Sequence, residues 1–258
     1  MRLTRIKGKR VSGFTLVEMA IVLVIIGIIL AGIMKGRDIV RGSQVKQFSQ
    51  GYAQKWVTIA ATYFDKVGQH LCDGTDNGSP EAGSTPNGRM DGYLFDVGTA
   101  ATGTGDGGTL LQALRDVGIT PCTMIKSDLE DFNDNPSCVA GGGVGYNIFE
   151  RMVEGEWSGK SRVAVGFFNA GVNGANRNCV LLQNVPVDVA IGLDTLIDGQ
   201  ADGQNGACVN TSVGTAVGTP SAIPTEAVAN EGAAVVLTAY PAQSAAGKLL
   251  TILLVLDY

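Results

Sequence analysis

Sixteen consecutive residues, 19–34 (MAIVLVIIGIILAGIM), carry no charge. With Phe14, Thr15, Leu16, Val17 and Glu18 in front they make a 21-residue stretch with one charged side chain, Glu18. As a helix such a stretch is ~30 Å long, about the thickness of a bilayer core. A membrane-spanning helix is therefore the first element of this chain to be placed.

The charges on either side give that helix a direction. Residues 1–13 hold Arg2, Arg5, Lys7, Lys9 and Arg10 and no acid, whereas residues 68–258 hold eight basic and 21 acidic residues. Basic flanks stay cytoplasmic, which places the acidic body outside the membrane. Lys35, Gly36 and Arg37 follow the apolar run directly, so the small-x-small cleavage site of a secretory signal is absent from that position. A plain signal anchor would satisfy hydropathy equally well. The overall charge of −5 argues against a generally basic nucleic-acid binder. Glycine, 36 of 258 residues, has no three-residue period, so a collagen-like chain is excluded.

Glu18 separates a plain anchor from something more specific. A carboxylate inside a spanning helix costs up to ~2.5–3.5 kcal/mol at depth and normally has a partner. The stretch Ser12-Gly13-Phe14-Thr15-Leu16-Val17-Glu18, behind a basic leader and ahead of an apolar run, resembles the processing motif of type IV prepilins and type II secretion pseudopilins. The resemblance is specific over residues 8–34 and looser to about residue 67. It implies cleavage after Gly13 by a membrane-bound prepilin peptidase and N-methylation of the new first residue, Phe14. It also implies that Glu18 pairs with the terminal amine of a neighbouring subunit during assembly. The chain departs from many pilins in having no proline in this helix, the first being Pro80. Gly27, Gly32, Gly36 and Gly42 are the residues available for flexibility or for close helix packing.

Beyond the membrane stretch, Val45, Phe48, Tyr52, Trp56, Ile59, Tyr63 and Val67 recur at spacings of three and four, one face of an amphipathic helix. One helix of about 54 residues, roughly 80 Å long, is expected over 14–67, its aromatic stripe packed on a sheet. Residues 73–109 contain ten glycines among Asp, Asn, Ser, Thr and Pro and read as a long surface or poorly ordered loop. Residues 110–117 and 187–197 read as short helices. Residues 144–152, 163–168, 180–183, 235–240 and 249–256 read as strands. The expected fold class is α+β and pilin-like, with a long N-terminal helix packed on a mostly antiparallel sheet in a globular head. Its parts are a leader (1–13), a transmembrane or filament-core helix (14–34), an amphipathic helix (35–67) and an extracytoplasmic head (68–258).

Five cysteines, at 72, 122, 138, 179 and 208, fall on the external side, where oxidation favours pairing. Cys122–Cys138 and Cys179–Cys208 are the favoured pairs, leaving Cys72, and other connectivities stay open. The family's frequent disulfide near the C-terminus favours the second pair. Asp194, Asp198, Asp202 and Asn205 lie in a glycine-rich turn whose oxygens suit Ca²⁺, and the resemblance adds weight, since some pseudopilins bind calcium in a C-terminal loop. Asp-Gly pairs are also ordinary turns. Asp131, Asn133 and Asn135 form a lesser cluster of the same kind.

Two nucleotide-like patterns fail on context. Gly103–Gly108 fits G-x-G-x-x-G without a preceding strand, and Gly155–Ser161 is one residue short of a phosphate loop. The single histidine, His70, has no nucleophile motif beside it, so an enzyme is not expected. The resemblance instead implies a structural subunit, a minor pilin or pseudopilin of a pilus or secretion pseudopilus. Its partners would be the peptidase, other pilin or pseudopilin subunits and an inner-membrane assembly platform. It would be held single-pass in the bacterial inner membrane with a periplasmic head before joining the fibre. The alternatives are an adhesive or substrate-recognising tip subunit and an uncleaved signal-anchored periplasmic protein.

Overall fold

The computed structural model describes residues 15–79, 83–94, 108–125, 138–139, 145–214, 221, 232–242 and 247–258. The chain divides into two units, Met1–Gln44 and Val45–Tyr258. Helical residues run without a break from Leu16 to Val67, close to the expected 14–67. They comprise α1 (Leu16–Phe48), one π-turn (Ser49–Ala53) and α2 (Gln54–Val67).

The stripe read from the sequence is the buried face. Phe48, Tyr52, Trp56, Ile59 and Tyr63 are buried, with Val45 and Val67 packed at the margins. The π-turn adds a residue to one helical turn, and Ser49 and Ala53 join the same buried face. Trp56 stacks on Phe149 at 5.4 Å and meets Phe167 edge-on at 5.5 Å. Tyr52 donates its hydroxyl to the Phe149 carbonyl at 2.7 Å, so its polar tip is satisfied inside the core. Each such side chain contributes about 1.5–3 kcal/mol when fully buried. Gly68 ends α2 at φ 74°, a left-handed cap that glycine adopts without penalty.

Among the described residues eight strands follow the helix in sequence: β1 (Tyr93–Leu94), β2 (Cys138–Val139), β3 (Gly145–Tyr146), β4 (Glu150–Gly155), β5 (Gly159–Val172), β6 (Ala175–Pro186), β7 (Cys208–Val213) and β8 (Leu249–Leu256). Three helices lie between them, α3 (Gly108–Asp116), α4 (Pro121–Met124) and α5 (Val187–Asp198). Six strands form one sheet in the order β1-β5-β6-β8-β7, with β4 sharing the edge of β5 beside β1. Every ladder in it is antiparallel. β2 and β3 form a separate pair. The α+β expectation holds.

Strand alternation sorts the core into two layers. Val163, Val165 and Phe167 of β5, with Val180 and Leu182 of β6 and Leu250, Ile252 and Leu254 of β8, share one core with α2, α3 and α5. Their neighbours Phe168, Ala170, Val172, Cys179, Leu181 and Leu253 face the other way, under Ala233, Val235 and Leu237.

That alternation corrects the favoured Cys179–Cys208 disulfide. Cys179 pairs with Val255 and Cys208 with Leu254, adjacent residues of β8 that point to opposite faces. The two sulfurs therefore belong to different cores, with a strand between them, and both cysteines are free. Cys72, expected to be left over, is free and buried. Cys122, half-buried in α4, is not one of these free thiols, and the side chain of its expected partner Cys138 lies outside the described residues.

Two further expectations change. Residues 235–240 are not a strand: Val235 bonds Gly171 and Thr238 bonds Asn210 without a ladder. β7, at the other side of this contact, had too few apolar residues to be read. The described parts of the 73–109 segment are laced down rather than loose. Asp73 accepts N–H bonds from Asn87 and Gly88, and Asp91 accepts from Gly74 and Ser84, while Met90 is buried at 1% exposure.

Candidate functional site

The apolar helix begins with a reciprocal cap. Thr15 donates its backbone N–H (2.8 Å) and its hydroxyl (2.9 Å) to Glu18 Oε2, while Glu18 N–H donates to Thr15 Oγ1 (3.3 Å). This is the capping box, in which Thr at the N-cap and Glu three residues on satisfy each other's backbone donors. The T-x-x-E pattern at Thr15–Glu18 is the sequence signal for this cap. Ser12, Gly13 and Phe14 lie outside the described residues, so the structure places the motif from Thr15 to Glu18.

Behind the cap, every side chain of residues 15–35 is exposed. Leu16 is 86% exposed, Leu23 70% and Met34 71%, and a β-carbon on Gly27, Gly32, Gly36 or Gly42 would meet open space. A continuous apolar surface on this scale is not left in water by a soluble monomer. It requires lipid or the helices of other subunits. The helix is long and apolar enough to cross a membrane.

Residues 8–34 match the family model described as the prokaryotic N-terminal methylation motif. The chain carries a prepilin-type cleavage and methylation motif. Neither a curated protein nor a solved structure matches the chain. The prepilin motif implies processing by a prepilin peptidase and assembly with other pilin subunits. Together with its apolar helix it fits a membrane-anchored protein, and it points to a structural subunit.

The calcium candidates are gathered by the turn after α5. Their carboxylates serve the turn itself. Asp194 Oδ2 accepts Gly203 N–H at 3.1 Å, and Asp198 accepts Ala207 and Cys208 N–H at 3.0 and 2.8 Å. Asp202 accepts the N–H groups of Gln204 and Asn205 and the Asn205 amide. Asn205 thus points its nitrogen, not an oxygen ligand, at Asp202. Among the described residues no three His, Cys, Asp or Glu side chains converge on a point that could hold a metal. As arranged, the carboxylates of Asp194, Asp198 and Asp202 accept hydrogen bonds of the turn itself. A β-carbon on Gly206, at φ +91°, would lie 2.4 Å from the Asp198 carboxyl, so glycine is required for this wrap. The 131–135 cluster lies outside the described residues.

Burial raises the Asp194 carboxyl to about 6, with the neighbouring Asp198 adding to it and the Gly203 N–H opposing it. Burial raises the Cys179 thiol to about 12 and pushes Cys72 and Cys208 up as well. None of these thiols is therefore a ready nucleophile.

Of the nucleotide-like patterns, Gly155–Ser161 spans the β4–β5 hairpin and is not the strand-to-helix turn of a phosphate loop. Gly103–Gly108 lies outside the described residues up to Gly108, the first residue of α3. His70 forms a three-ring cluster with Phe64 and Tyr258, at ring distances of 4.7 and 5.8 Å, and those two rings meet at 5.3 Å; burial lowers its pKa.

Proposed function

We propose that this protein is a minor pilin or pseudopilin, a structural subunit of a type IV pilus or type II secretion pseudopilus. A prepilin peptidase cuts after Gly13 and methylates Phe14. The head then stands outside the inner membrane until assembly draws the helix into the filament. What supports this reading is one juxtaposition: the methylation motif at residues 8–34 opens a helix whose apolar residues up to Met34 are all exposed. In the membrane, lipid covers that surface. In the filament, the same helix of neighbouring subunits replaces lipid, and Glu18 meets a Phe14 ammonium in a low dielectric.

The test is the N-terminus and intact mass of the protein in membrane and sheared-fibre fractions. N-methyl-Phe14 together with recovery in fibres is expected of a filament subunit. Processed protein confined to membranes would point to a low-copy priming role, and an intact Met1 in cells with active machinery would overturn the reading.

A further inference from the structure

The first charged residues beyond the apolar run are Lys35, Arg37 and Asp38, followed by Arg41 and Lys46. All five lie on α1, which continues without a break to Phe48. Lys35, Arg37 and Lys46 are exposed, whereas Arg41 is half-buried and already engaged. At a rise of about 1.5 Å per residue, Lys35 and Arg37 stand about 1.5 and 4.5 Å beyond Met34, and Lys46 about 18 Å beyond it. The polar layer of a bilayer is roughly 5–7 Å thick on each side of its apolar core. With Met34 at the edge of that core, Lys35 and Arg37 fall inside the layer and Lys46 lies well past it.

This flank works against the orientation of the helix. Basic residues favour the cytoplasmic side, yet these stand at the external end, so their presence there needs another reason. Two residues apart on an α-helix is a turn of about 200°, and Lys35 and Arg37 therefore project from opposite sides of the axis. A protein docked on one side would meet one of them. A layer of headgroups surrounds the helix and meets both. The chemistry is complementary as well, since phosphate oxygens accept the N–H donors of ammonium and guanidinium groups. An anionic headgroup adds the net charge that a zwitterionic one lacks.

We propose that Lys35 and Arg37 form a collar that binds anionic phospholipid headgroups at the external face of the membrane. The proposal rests on α1 spanning a bilayer and is independent of the fibre that the subunit joins. It gives the membrane-held subunit a preferred lipid shell, which must be stripped when the helix leaves the bilayer. Asp38, beside Arg37 and three residues from Lys35, opposes the collar and leaves it a single net positive charge.

The probe is phosphatidylglycerol brominated on its acyl chains, which quenches tryptophan on contact, set against brominated phosphatidylcholine. The full chain is reconstituted in phosphatidylcholine vesicles with Leu30→Trp as the reporter, while Trp56 and Trp157 of the head add the same background in every variant. Leu30 is exposed, about 7.5 Å before Lys35 and about 24 Å from Phe14, so the charges of the leader lie out of its reach. Phosphatidylglycerol should be preferred about fivefold, which is the ~1 kcal/mol of one basic residue beside an anionic lipid surface. Lys35→Gln/Arg37→Gln, at exposed positions that a good helix former suits, should abolish the preference. Asp38→Asn should raise it by a similar factor, and Lys46→Gln, beyond a Debye length, should leave it unchanged. Equal quenching by the two lipids in the parent chain overturns the proposal. So does a preference untouched by the double variant, or one lost as fully in Lys46→Gln. Loss of cross-linked dimers in the double variant, with no lipid preference in the parent, would show that the collar faces a second copy instead. Quenching by neither lipid would overturn the membrane reading itself, which sets that failure apart from the others.

Discussion

Thr15 and Glu18 close the start of α1 by exchanging three hydrogen bonds, two of them onto the same carboxylate oxygen, Oε2. The carboxylate that the prepilin reading assigns to a neighbour's ammonium therefore already has work within its own chain. The two roles are compatible in geometry, because both cap bonds fall on Oε2 and an ammonium can approach Oε1. They are separable by substitution. Glutamine also serves at the third position of a capping box, so Glu18→Gln keeps the cap and removes the charge. Thr15→Ala does the reverse, at ~1 kcal/mol of helix-start stability. The expected outcome is normal processing in both variants, with incorporation into fibres lost in Glu18→Gln and retained in Thr15→Ala. The ratio of fibre-bound to membrane-bound subunit measures it, and normal incorporation of Glu18→Gln would sink the charge-pairing role.

Val45 packs directly on Gly192 of α5. A β-carbon on Gly192 would lie 2.7 Å from Val45 Cγ1, and a valine has no flexible end to move aside. Gly192→Ala should destabilise the head by about 1–3 kcal/mol, the usual cost of overpacking. Val45→Ala in the same chain should restore much of that loss, and denaturant midpoints of the single and double variants give the coupling. Additive losses would show that the contact is not what fixes the glycine.

Three thiols, Cys72, Cys179 and Cys208, are free and buried, with burial pushing each pKa upward. Under native conditions without reductant they should resist alkylation, and in denaturant all three should label, as read by peptide mass. A Cys179–Cys208 disulfide peptide would contradict the sheet register, since it needs side chains on opposite faces to meet.

The long helix and its buried stripe were legible because a period near 3.6 persists from Val45 to Val67 with aromatic side chains marking it. Residues 187–197 were equally plain, framed by Pro186 and an Asp-Gly stop that the structure shows as a left-handed Gly199 at φ 78°. The central strands announced themselves through dense β-branched and aromatic runs. β7 did not, because Asn210, Thr211 and Ser212 are polar; Asn210 is buried against Thr238, and Thr211 donates to the Thr251 carbonyl. Residues 235–240 misled for the opposite reason: an apolar run covers the outer core without completing a ladder. The processing motif was readable because its chemistry is contiguous. That backbone N–H groups of the turn bond the carboxylates of Asp194, Asp198 and Asp202 has no signal in the spacing of those residues.

Asp194 gives the head a pH dependence with a defined sign. Its folded-state value of about 6 lies above the ordinary 3.8, so the folded head holds this proton more tightly than the unfolded chain. Stability from the protonated form is complete below the ordinary value and is lost as pH rises through about 6. The groups facing it, Asp198, Tyr240 and Cys208, act on it in both directions, the first raising it and the tyrosine hydroxyl lowering it. Asp194→Asn mimics the neutral form and can still accept the Gly203 N–H. It should raise Tm at neutral pH, and its advantage over the wild type should vanish as pH falls below the ordinary carboxylate value. Calcium or a chelator should leave both melting curves where they are if the turn is held by its own N–H groups. Parallel wild-type and variant Tm profiles across this window would refute the assignment, and a calcium-dependent rise in wild-type Tm would show that the carboxylates exchange those N–H bonds for a metal.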